Sequence, residues 1–328
     1  MVNKYNFGII CAGNIARKMA ETVGKMTDEL TPYAIAARDI TRAEELAAEF
    51  GFAKSYGSYE ELVLDKNVDL VYVASPHSHH YEHVKLCLKH NKNVLCEKAF
   101  TANAKQAKEI IALAEEKKLF LGEALWTRFM PWVGKLRETL EKGEIGETQA
   151  VQCGFGQTLT HIERLQDPAL AGGALLDLGI YPLTFASLIL GKGALKYTGE
   201  AVLTDKGVDA RNSITLIFDT GKMAQLYSDM AAWMPNIGVV CGSNGHIVAH
   251  DFWMCQRFTV CVRGQEPYDV KCPFDISGYE YEVRAALKAI REKRLFCDEM
   301  PWSETIRLME IMDGLRSMWG IRFPFEQE

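Results

Sequence analysis

The chain has 328 residues, of which 48% are hydrophobic and 24% charged, enough material for two domains that fold without disulfide bonds. A net charge of -6, with lysines and arginines scattered along the chain, excludes the basic surface of a nucleic-acid-binding protein. Nine cysteines without a C-x-x-C pair indicate buried, reduced thiols in a cytosolic protein, not a disulfide or metal set.

The start of the chain and its apolar stretches predict a cytoplasmic location. MVNKYNFGIIC enters a strand-like apolar run with no charged leader and no small-residue cleavage site, so we expect no signal peptide. The longest apolar stretch, PLTFASLIL, is far shorter than the ~20 residues that span a bilayer. We therefore expect a soluble protein.

Residues 1–125 alternate between strand-like and helical patterns. The runs rich in β-branched and aromatic residues are FGIIC, YAIAA, DLVYVAS, NVLCEK and LFLGEA. Between them lie segments of helical period, AGNIARKMAETVGKM, ITRAEELAAEFG, SYEELVLDK, HYEHVKLCLKHN and ANAKQAKEIIALAEEKK. This alternation predicts an α/β dinucleotide-binding Rossmann domain with a doubly wound parallel sheet.

Residues 126–328 follow a different pattern. After the amphipathic segment MPWVGKLRETLEKGEIG come closely spaced strand-like runs, TQAVQCGFGQ, NSITLIFD, KMAQLYSDM, IGVVCGS, GHIVAH and FTVCVRG. Helical patterns occur in GALLDLGIYPLTFASLIL, ISGYEYEVRAALKAIREK and SETIRLMEIMDGLRSMWG. We therefore predict a second, α+β domain with a large open, mainly antiparallel sheet.

A partial dinucleotide fingerprint follows the first predicted strand. In FGIICAGNIAR, Cys11 takes the first glycine position of G-x-G-x-x-G/A, Gly13 the second and Ala16 the third. The second glycine lets the backbone approach the pyrophosphate, and the helix N-terminus with Asn14 and Ile15 receives the phosphate charge. Alone, the match also fits an accidental strand-turn-helix, but its βαβ context favours a nucleotide site.

The end of the second predicted strand favours NADP over NAD. In AIAARDITR, Arg38 follows the strand and Arg42 comes one helical turn later. Two guanidiniums can bind a 2′-phosphate, whereas an acid usually holds the ribose of NAD at this place. Asp39 would be that acid if the register differed by one residue, and solvated charges at a helix start are a third interpretation.

Three histidines follow another predicted strand, in VASPHSHHYEHV. His77, His79 and His80 lack the i, i+4 spacing of a helical metal site, and no carboxylate or cysteine cluster completes a ligand set, so we predict no metal. The loop belongs to the carboxyl edge of the sheet, where open α/β folds bind ligands. We expect Ser75 and Pro76 to contact the cofactor, together with His77 and His80.

A charged pair ends the next predicted strand, VLCEKAF, and so emerges at the same edge of the sheet. We expect Glu97 and Lys98 beside the nicotinamide, where Lys98 can bind a substrate oxygen, although a lysine that merely extends from a strand end looks the same. In GGALLDLGIYP, Asp177 and Tyr181 are four apart on a predicted helix and share one face. A tyrosine of ordinary pKa near ~10 needs a nearby cation for proton transfer at neutral pH. Lys98 would be that cation.

Together these motifs resemble those of the Gfo/Idh/MocA oxidoreductases, from end to end of the chain. The matching motifs are GIIxxGNIA, AARD, SYEEL, the P-x-x-x-H loop, CEK, EALWTRFMP and GGALLDLGIYP. Within that family the chain is most similar to the dimeric dihydrodiol dehydrogenase branch, and the combination of EALWTRF with GGALLDLGIY is the specific one. The resemblance implies an NADP-dependent enzyme and a homodimer built on the outer face of the second domain's sheet.

The resemblance also implies roles for individual residues. Lys98 matches the active-site lysine of the family, Asp177 its substrate-side aspartate and His80 the histidine of its P-x-x-x-H loop. Tyr181 stands where many members have a histidine as the acid/base, as it does in the dihydrodiol dehydrogenase branch.

Two further matches and two departures concern the cofactor side. Trp126 and Arg128 match the W-x-R element beside the nicotinamide. Ala99 stands where the family usually has proline after the lysine, and Cys11 replaces the first fingerprint glycine. The orientation of the lysine and the tightness of the phosphate turn are therefore less well specified by the motifs.

Three ring-bearing residues, Phe155, His161 and Trp253, are candidates for the substrate pocket, although each also fits a packed or solvated side chain. The sequence predicts an NADP(H)-dependent oxidoreductase that transfers a hydride between nicotinamide and a carbinol or carbonyl carbon of a small polyol, sugar, cyclic diol or dicarbonyl. The alternatives are a non-catalytic dinucleotide-sensing regulator of the same fold and an NAD-assisted glycosidase.

Overall fold

The computed structural model describes residues 4–191 and 195–326. Its first sheet is parallel, with six strands in the order β3-β2-β1-β4-β5-β6. The strands are β1 (Tyr5–Ile10), β2 (Leu30–Ala36), β3 (Lys54–Tyr56), β4 (Leu70–Val73), β5 (Asn93–Glu97) and β6 (Leu121–Ala124). The strand order reverses between β1 and β4, and such a reversal opens a ligand crevice at the carboxyl ends of the strands.

Five helices connect these strands, and they confirm the doubly wound arrangement predicted from the sequence. They are α1 (Asn14–Gly24), α2 (Ile40–Phe50), α3 (Tyr59–Leu64), α4 (His77–Lys89) and α5 (Ala104–Lys117). The side chains of Asp39, Ser58 and Asn103 accept backbone N–H groups at the starts of α2, α3 and α5. Strand β3 was not among the predicted runs, because it has only three residues and none is fully buried.

The second sheet has eight strands in the order β14-β13-β12-β11-β7-β10-β9-β8, and only the pairing of β10 with β7 is parallel. The fold class predicted from the sequence is therefore confirmed. The strands are β7 (Thr148–Gly156), β8 (Leu195–Leu203), β9 (Asp209–Phe218), β10 (Met223–Asp229), β11 (Gly238–Gly242), β12 (Gly245–Ala249), β13 (Arg257–Val262) and β14 (Tyr268–Lys271).

Five further α-helices lie in the described residues after β6, and one of them packs on this sheet. The helices are α6 (Pro131–Glu141), α7 (Glu163–Gln166), α8 (Ile180–Leu190), α9 (Glu280–Arg291) and α10 (Trp302–Met318). Along β9, Ile214, Leu216 and Phe218 are buried, whereas Ser213 and Ile217 point to the exposed face. Helix α8 contacts β7 and β10, so the core of this half lies between α8 and the sheet.

The chain forms two compact units, Met1–Trp126 with Asp275–Met309, and Thr127–Phe274 with Glu310–Glu328. The segment 275–309 belongs to the first unit through contacts with β6. The N–H of Leu121 donates to the carbonyl of Leu295 at 2.8 Å, and Trp302 Nε1 donates to the carbonyl of Leu121 at 2.8 Å. The boundary between residues 125 and 126 stays a prediction, drawn from a sequence pattern that does not reveal this return of the chain.

One helical stretch, Pro168–Leu190, is long and apolar enough by composition to cross a membrane. It includes the PLTFASLIL run and continues upstream of it. Its most apolar window is 83% buried within the protein, and buried core helices of soluble proteins meet the same criterion. The stretch is therefore weak evidence for a membrane span, and the cytoplasmic location stays a prediction.

Candidate active site

The turn between β1 and α1 has the features that a dinucleotide phosphate needs. Cys11 has a φ of 82°, so it adopts the conformation that glycine would adopt at the first fingerprint position. Gly13 precedes the first residue of α1 and makes no side-chain cap, and a Cβ built there would meet no heavy atom within 4 Å. Among the described residues this leaves room for a ligand at the N-terminus of α1, at Asn14 and Ile15.

A chain of polar and aromatic contacts joins this turn to the end of β4. Cys11 Sγ lies 3.0 Å from the hydroxyl of Tyr59, whose ring meets the edge of His83 at 4.7 Å between centroids. His83 Nδ1 lies 2.9 Å from Ser75 Oγ. Burial lowers the pKa of His83 to about 4, so the ring is neutral at physiological pH. The sequence analysis assigned no role to Tyr59 or His83, because their contacts join segments that are distant in the sequence.

The residues after β2 divide into one that caps a helix and two that flank the phosphate turn. Asp39 accepts the N–H of Thr41 at 3.1 Å and so caps α2. Arg42 Nη2 donates to the carbonyl of Ala12 at 2.7 Å, within the phosphate turn. Arg38 is exposed and forms no hydrogen bond or ion pair with the described residues. Its guanidinium is thus available to an anionic ligand.

His80, which the sequence analysis predicted to contact the cofactor, is buried next to the β4–α4 loop. His80 is 0% exposed, with Nε2 2.7 Å from the carbonyl of Ser75 and Nδ1 2.8 Å from the carbonyl of Ala99. Burial lowers its pKa to about 4. His77 is also buried, with its ring 5.8 Å from that of His80, and Pro76 precedes α4. His80 therefore joins the loops after β4 and β5, and its contact with a cofactor stays a prediction.

No group of three or more histidine, cysteine, aspartate or glutamate side chains in residues 4–191 and 195–326 is arranged to hold a metal ion.

Glu97 and Lys98 differ in where their side chains lie. Glu97 is buried at the end of β5, accepts a hydrogen bond from the hydroxyl of Tyr72 and accepts the N–H of Lys98 at 3.1 Å. Lys98 is half-buried, and its peptide bond to Ala99 is cis. The side chain of Glu97 therefore forms hydrogen bonds inside the first unit, and its contact with the cofactor stays a prediction.

The W-x-R element forms a short 3-10 turn, Trp126–Arg128. Trp126 is buried and stacks on Tyr279, with ring centroids 4.1 Å apart and an angle of 11° between the planes. Arg128 is 9% exposed. Tyr279 lies just before α9, and no sequence motif predicts this stacking partner.

In the second unit, Asp177 and Tyr181 lie on one continuous helical segment, but its first part is not a regular α-helix. Leu175–Gly179 is a π-helix that leads directly into α8. The predicted helix is present, but Asp177 lies in its π-helical part, and the shared face of Asp177 and Tyr181 stays a prediction. Such π-helical turns often occur at functional sites. Asp177 is 8% exposed, and Arg164 Nη2 donates to its Oδ1 at 3.2 Å. Arg164 has no motif of its own and was missed from the sequence.

Two of the three candidate substrate residues surround Tyr181. Phe155 meets Tyr181 edge to face at 5.4 Å, Trp253 lies 6.1 Å from it, and Phe155 and Trp253 stack at 5.3 Å. Tyr181 is 6% exposed within this aromatic cluster. His161 is exposed on the turn before α7 and has no ring contact among the described residues. Aromatic contacts therefore hold the ring of Tyr181 on the helical segment that also bears Asp177.

Two family matches cover the first sheet and most of the second. The family described as an oxidoreductase family with an NAD-binding Rossmann fold, GFO/IDH/MocA, matches residues 5–124. A GFO/IDH/MocA C-terminal domain matches residues 133–248.

Among characterised relatives, the trans-1,2-dihydrobenzene-1,2-diol dehydrogenase of Mus musculus is 35% identical over 325 residues, covering 97% of this chain and 98% of the relative. The Homo sapiens protein of the same name is 33% identical over 327 residues, with the same coverage of each chain.

Solved structures give the same result. The 3-ketoreductase KijD10 from Actinomadura kijaniata, in complex with NADP and TDP-benzene, is 25% identical, covers 96% of this chain and 98% of its own, and has a TM-score of 0.88. A levoglucosan dehydrogenase bound to NADH shares the fold, with a TM-score of 0.86 at 17% identity over 96% of each chain. The protein is therefore a nicotinamide-dependent dehydrogenase or reductase, and it belongs to the GFO/IDH/MocA family of oxidoreductases.

Proposed function

We propose that this enzyme uses NADP(H) to interconvert a carbinol and a carbonyl on a small polyol, sugar, cyclic diol or dicarbonyl, with Tyr181 as the acid/base and Lys98 as the assisting cation. The observation that carries the proposal is the placement of Tyr181, buried in an aromatic cluster on the helical segment that also bears Asp177. The similarity to the mouse dihydrodiol dehydrogenase supports a hydroxyl or carbonyl substrate.

When bound, the cofactor would supply the hydride, and the protein would bind, orient and exchange protons. Phe155 and Trp253 restrict the ring of Tyr181, so its hydroxyl is held in one direction before a substrate arrives. Asp177 would orient a substrate hydroxyl, and Arg164 Nη2 donates to its Oδ1. Lys98 would bind the reacting oxygen.

The preference for NADP rests on the two arginines after β2. Arg38 is exposed and Arg42 is anchored to the phosphate turn, while the carboxylate of Asp39 is engaged by its own helix. A 2′-phosphate would gain charge-assisted hydrogen bonds from the guanidiniums, whereas Asp39 is directed away from a ribose role by its capping bond.

We also propose a homodimer formed through the open face of the second sheet. Ile217 and Met223 lie directly opposite each other on β9 and β10, and they are 39% and 40% exposed. Adjacent apolar side chains on a sheet face are typical of a surface that is covered in an assembly. The molar mass in solution, measured by light scattering, tests this: a monomer at micromolar concentration contradicts the proposal.

The function is tested in two steps. Fluorescence titration with NADPH and with NADH gives the cofactor preference, and a panel of dicarbonyls, aldoses and cyclic diols is then followed at the nicotinamide absorbance. NADPH-selective binding with net NADPH oxidation supports the proposal. Tight binding without turnover favours the regulator, and substrate hydrolysis without net NADPH oxidation favours the glycosidase.

A further inference from the structure

A buried carboxylate lies beneath the helical segment that carries Asp177 and Tyr181. Asp209, the first residue of β9, is 2% exposed. Its Oδ2 accepts the backbone N–H of Leu175 at 2.7 Å and Nδ2 of Asn212 at 2.8 Å. Leu175 begins the π-helix, and Ala174 before it provides no side-chain cap. Asp209 therefore satisfies a backbone donor in the first turn from a distant strand.

The backbone passes unusually close to this carboxylate. Gly173 has a φ of 112°, and a Cβ built on it would lie 2.3 Å from Asp209 Oδ1. The N–H of Asp177 donates to the carbonyl of Gly173 at 3.4 Å. Because only glycine permits both this φ and this approach, the carboxylate and the turn together fix where the π-helix starts.

The charge of Asp209 depends on its surroundings. A carboxylate is favoured at a helix N-terminus by the helix dipole. Burial raises the pKa of Asp209 to about 7, while the hydrogen bonds from Asn212 and Leu175 and the charge of Arg316 on α10 oppose that rise. The backbone N–H of Asp209 itself also opposes the rise, and its ionisation falls near neutral pH.

Two further buried polar side chains, Asn212 and Ser228, lie on the strands that face the π-helix. Asn212 and Ser228 lie directly opposite each other on β9 and β10, and each is 1% exposed. Ser228 Oγ is 3.3 Å from the point where a Cβ of Gly179 would stand. Gly179 ends the π-helix, so the polar row of Asp209, Asn212 and Ser228 extends from its first residue to its last.

We propose that Asp209 is a positioning residue of the reaction. By holding the N–H of Leu175 it fixes the π-helical segment, and through that segment the directions of the Asp177 carboxylate and the Tyr181 hydroxyl. The inference rests on the proposed function, because it assigns Asp209 no contact with the reacting atoms and acts only through those two side chains. A displacement of about 1 Å at reacting groups can lower a rate by about 10².

The experiment compares Asp209→Asn with Asp219→Asn, the same substitution at the exposed turn after β9, in the wild type and in a Tyr181→Phe background. We expect Asp209→Asn to lower kcat by about 10 to 10² while the KM for NADPH is unchanged, and Asp219→Asn to keep the wild-type kcat. In the Tyr181→Phe background, Asp209→Asn should lower kcat by a much smaller factor, because residues that act as a unit are not additive.

The outcomes separate this inference from the proposed function. If Tyr181→Phe lowers kcat but Asp209→Asn does not, the positioning role is wrong and the function stands. An unchanged kcat for Tyr181→Phe removes the tyrosine mechanism, and the positioning role with it. Full additivity of the two substitutions would show that Asp209 affects the protein by general destabilisation.

A second variant covers the case in which Asp209→Asn does not fold. Asn212→Ala removes one donor to the carboxylate and leaves its bond to Leu175. It should lower kcat by a smaller factor than Asp209→Asn and be equally non-additive with Tyr181→Phe. A wild-type kcat for Asn212→Ala, in a folded protein shown by circular dichroism, would count against the polar row as a positioning element.

Discussion

The nucleotide side of the first unit and the Asp177–Tyr181 segment of the second are built in different ways. At the carboxyl edge of the first sheet, the candidate phosphate site is formed mostly by the backbone, at the turn of Cys11 and Gly13 and the start of α1. In the second unit, side chains remote in sequence hold the segment: Arg164 bonds Asp177, and Asp209 bonds Leu175. The contrast shows why a local motif predicts one region and only part of the other.

The largest expected effect is at the tyrosine. Tyr181→Phe removes the hydroxyl but keeps the ring packed against Phe155 and Trp253. We expect kcat to fall by about 10² to 10⁴ while the Kd for NADPH is kept, because general acid/base groups contribute factors of this size. Phe155→Leu is a matched control for the packing of the cluster. A fall in kcat as large for the leucine variant would show that packing, not the hydroxyl, is responsible.

The next effect concerns stability and pH. Because the folded pKa of Asp209 is about 7 and an unfolded aspartate titrates near ~3.9, the unfolded chain loses this proton first as pH rises. The contribution of Asp209 to the free energy of unfolding is therefore full below the unfolded pKa and decreases through pH 7, by roughly 4 kcal/mol in all.

Urea denaturation of Asp209→Asn and wild type at pH 5 and pH 8 measures this change. The variant should gain stability relative to wild type as the pH rises, because its amide does not titrate. A difference in unfolding free energy that is the same at both pH values would contradict the assigned titration.

A smaller effect is expected at the adenosine end of the cofactor. Arg38→Ala should weaken NADPH binding by about 10 to 10², the value of one or two charge-assisted hydrogen bonds, and leave NADH binding unchanged. Arg137→Ala, an exposed arginine on α6, is the control for loss of one positive charge. Equal weakening of NADPH and NADH binding by Arg38→Ala would remove the 2′-phosphate role.

The smallest effect is at the phosphate turn. Cys11 has a φ of 82° without being glycine, so Cys11→Gly should relieve backbone strain and stabilise the protein by about 0.5 to 1 kcal/mol, after loss of the contact with Tyr59. Thermal unfolding measures it, with Cys241→Gly on β11 as a control that should destabilise. A lower Tm for Cys11→Gly would show that its contact with Tyr59 outweighs the strain.

Much of the fold follows from periodicity in the sequence. The alternation of apolar runs and helical segments predicted the doubly wound sheet, and the close spacing of later runs predicted the mainly antiparallel one. Strands β8 and β14 were not predicted, because their residues do not form clear apolar runs. Strand β14 has only four residues, and none is fully buried. The return of 275–309 to the first unit depends on tertiary contacts such as Thr305 with Glu123, which no local pattern encodes.

Strand ends and motifs in the sequence pointed to Gly13, Lys98 and Tyr181, and their roles stay predictions. The sequence did not predict contacts that depend on the tertiary structure. His80 is completely buried, with its two ring nitrogens near the carbonyls of Ser75 and Ala99. The buried Glu97 accepts a hydrogen bond from the hydroxyl of Tyr72.

The central claim is that a hydride moves from the cofactor to a carbonyl carbon with proton transfer by Tyr181. Its most direct test is a single turnover of the best carbonyl substrate with NADPH that carries deuterium at both positions of the nicotinamide C4, for wild type and Tyr181→Phe. We predict deuterium on the carbinol carbon of the product, with transfer slower by about 10² or more in the variant. A reduced product without deuterium, or equal transfer rates in the two proteins, would contradict the account.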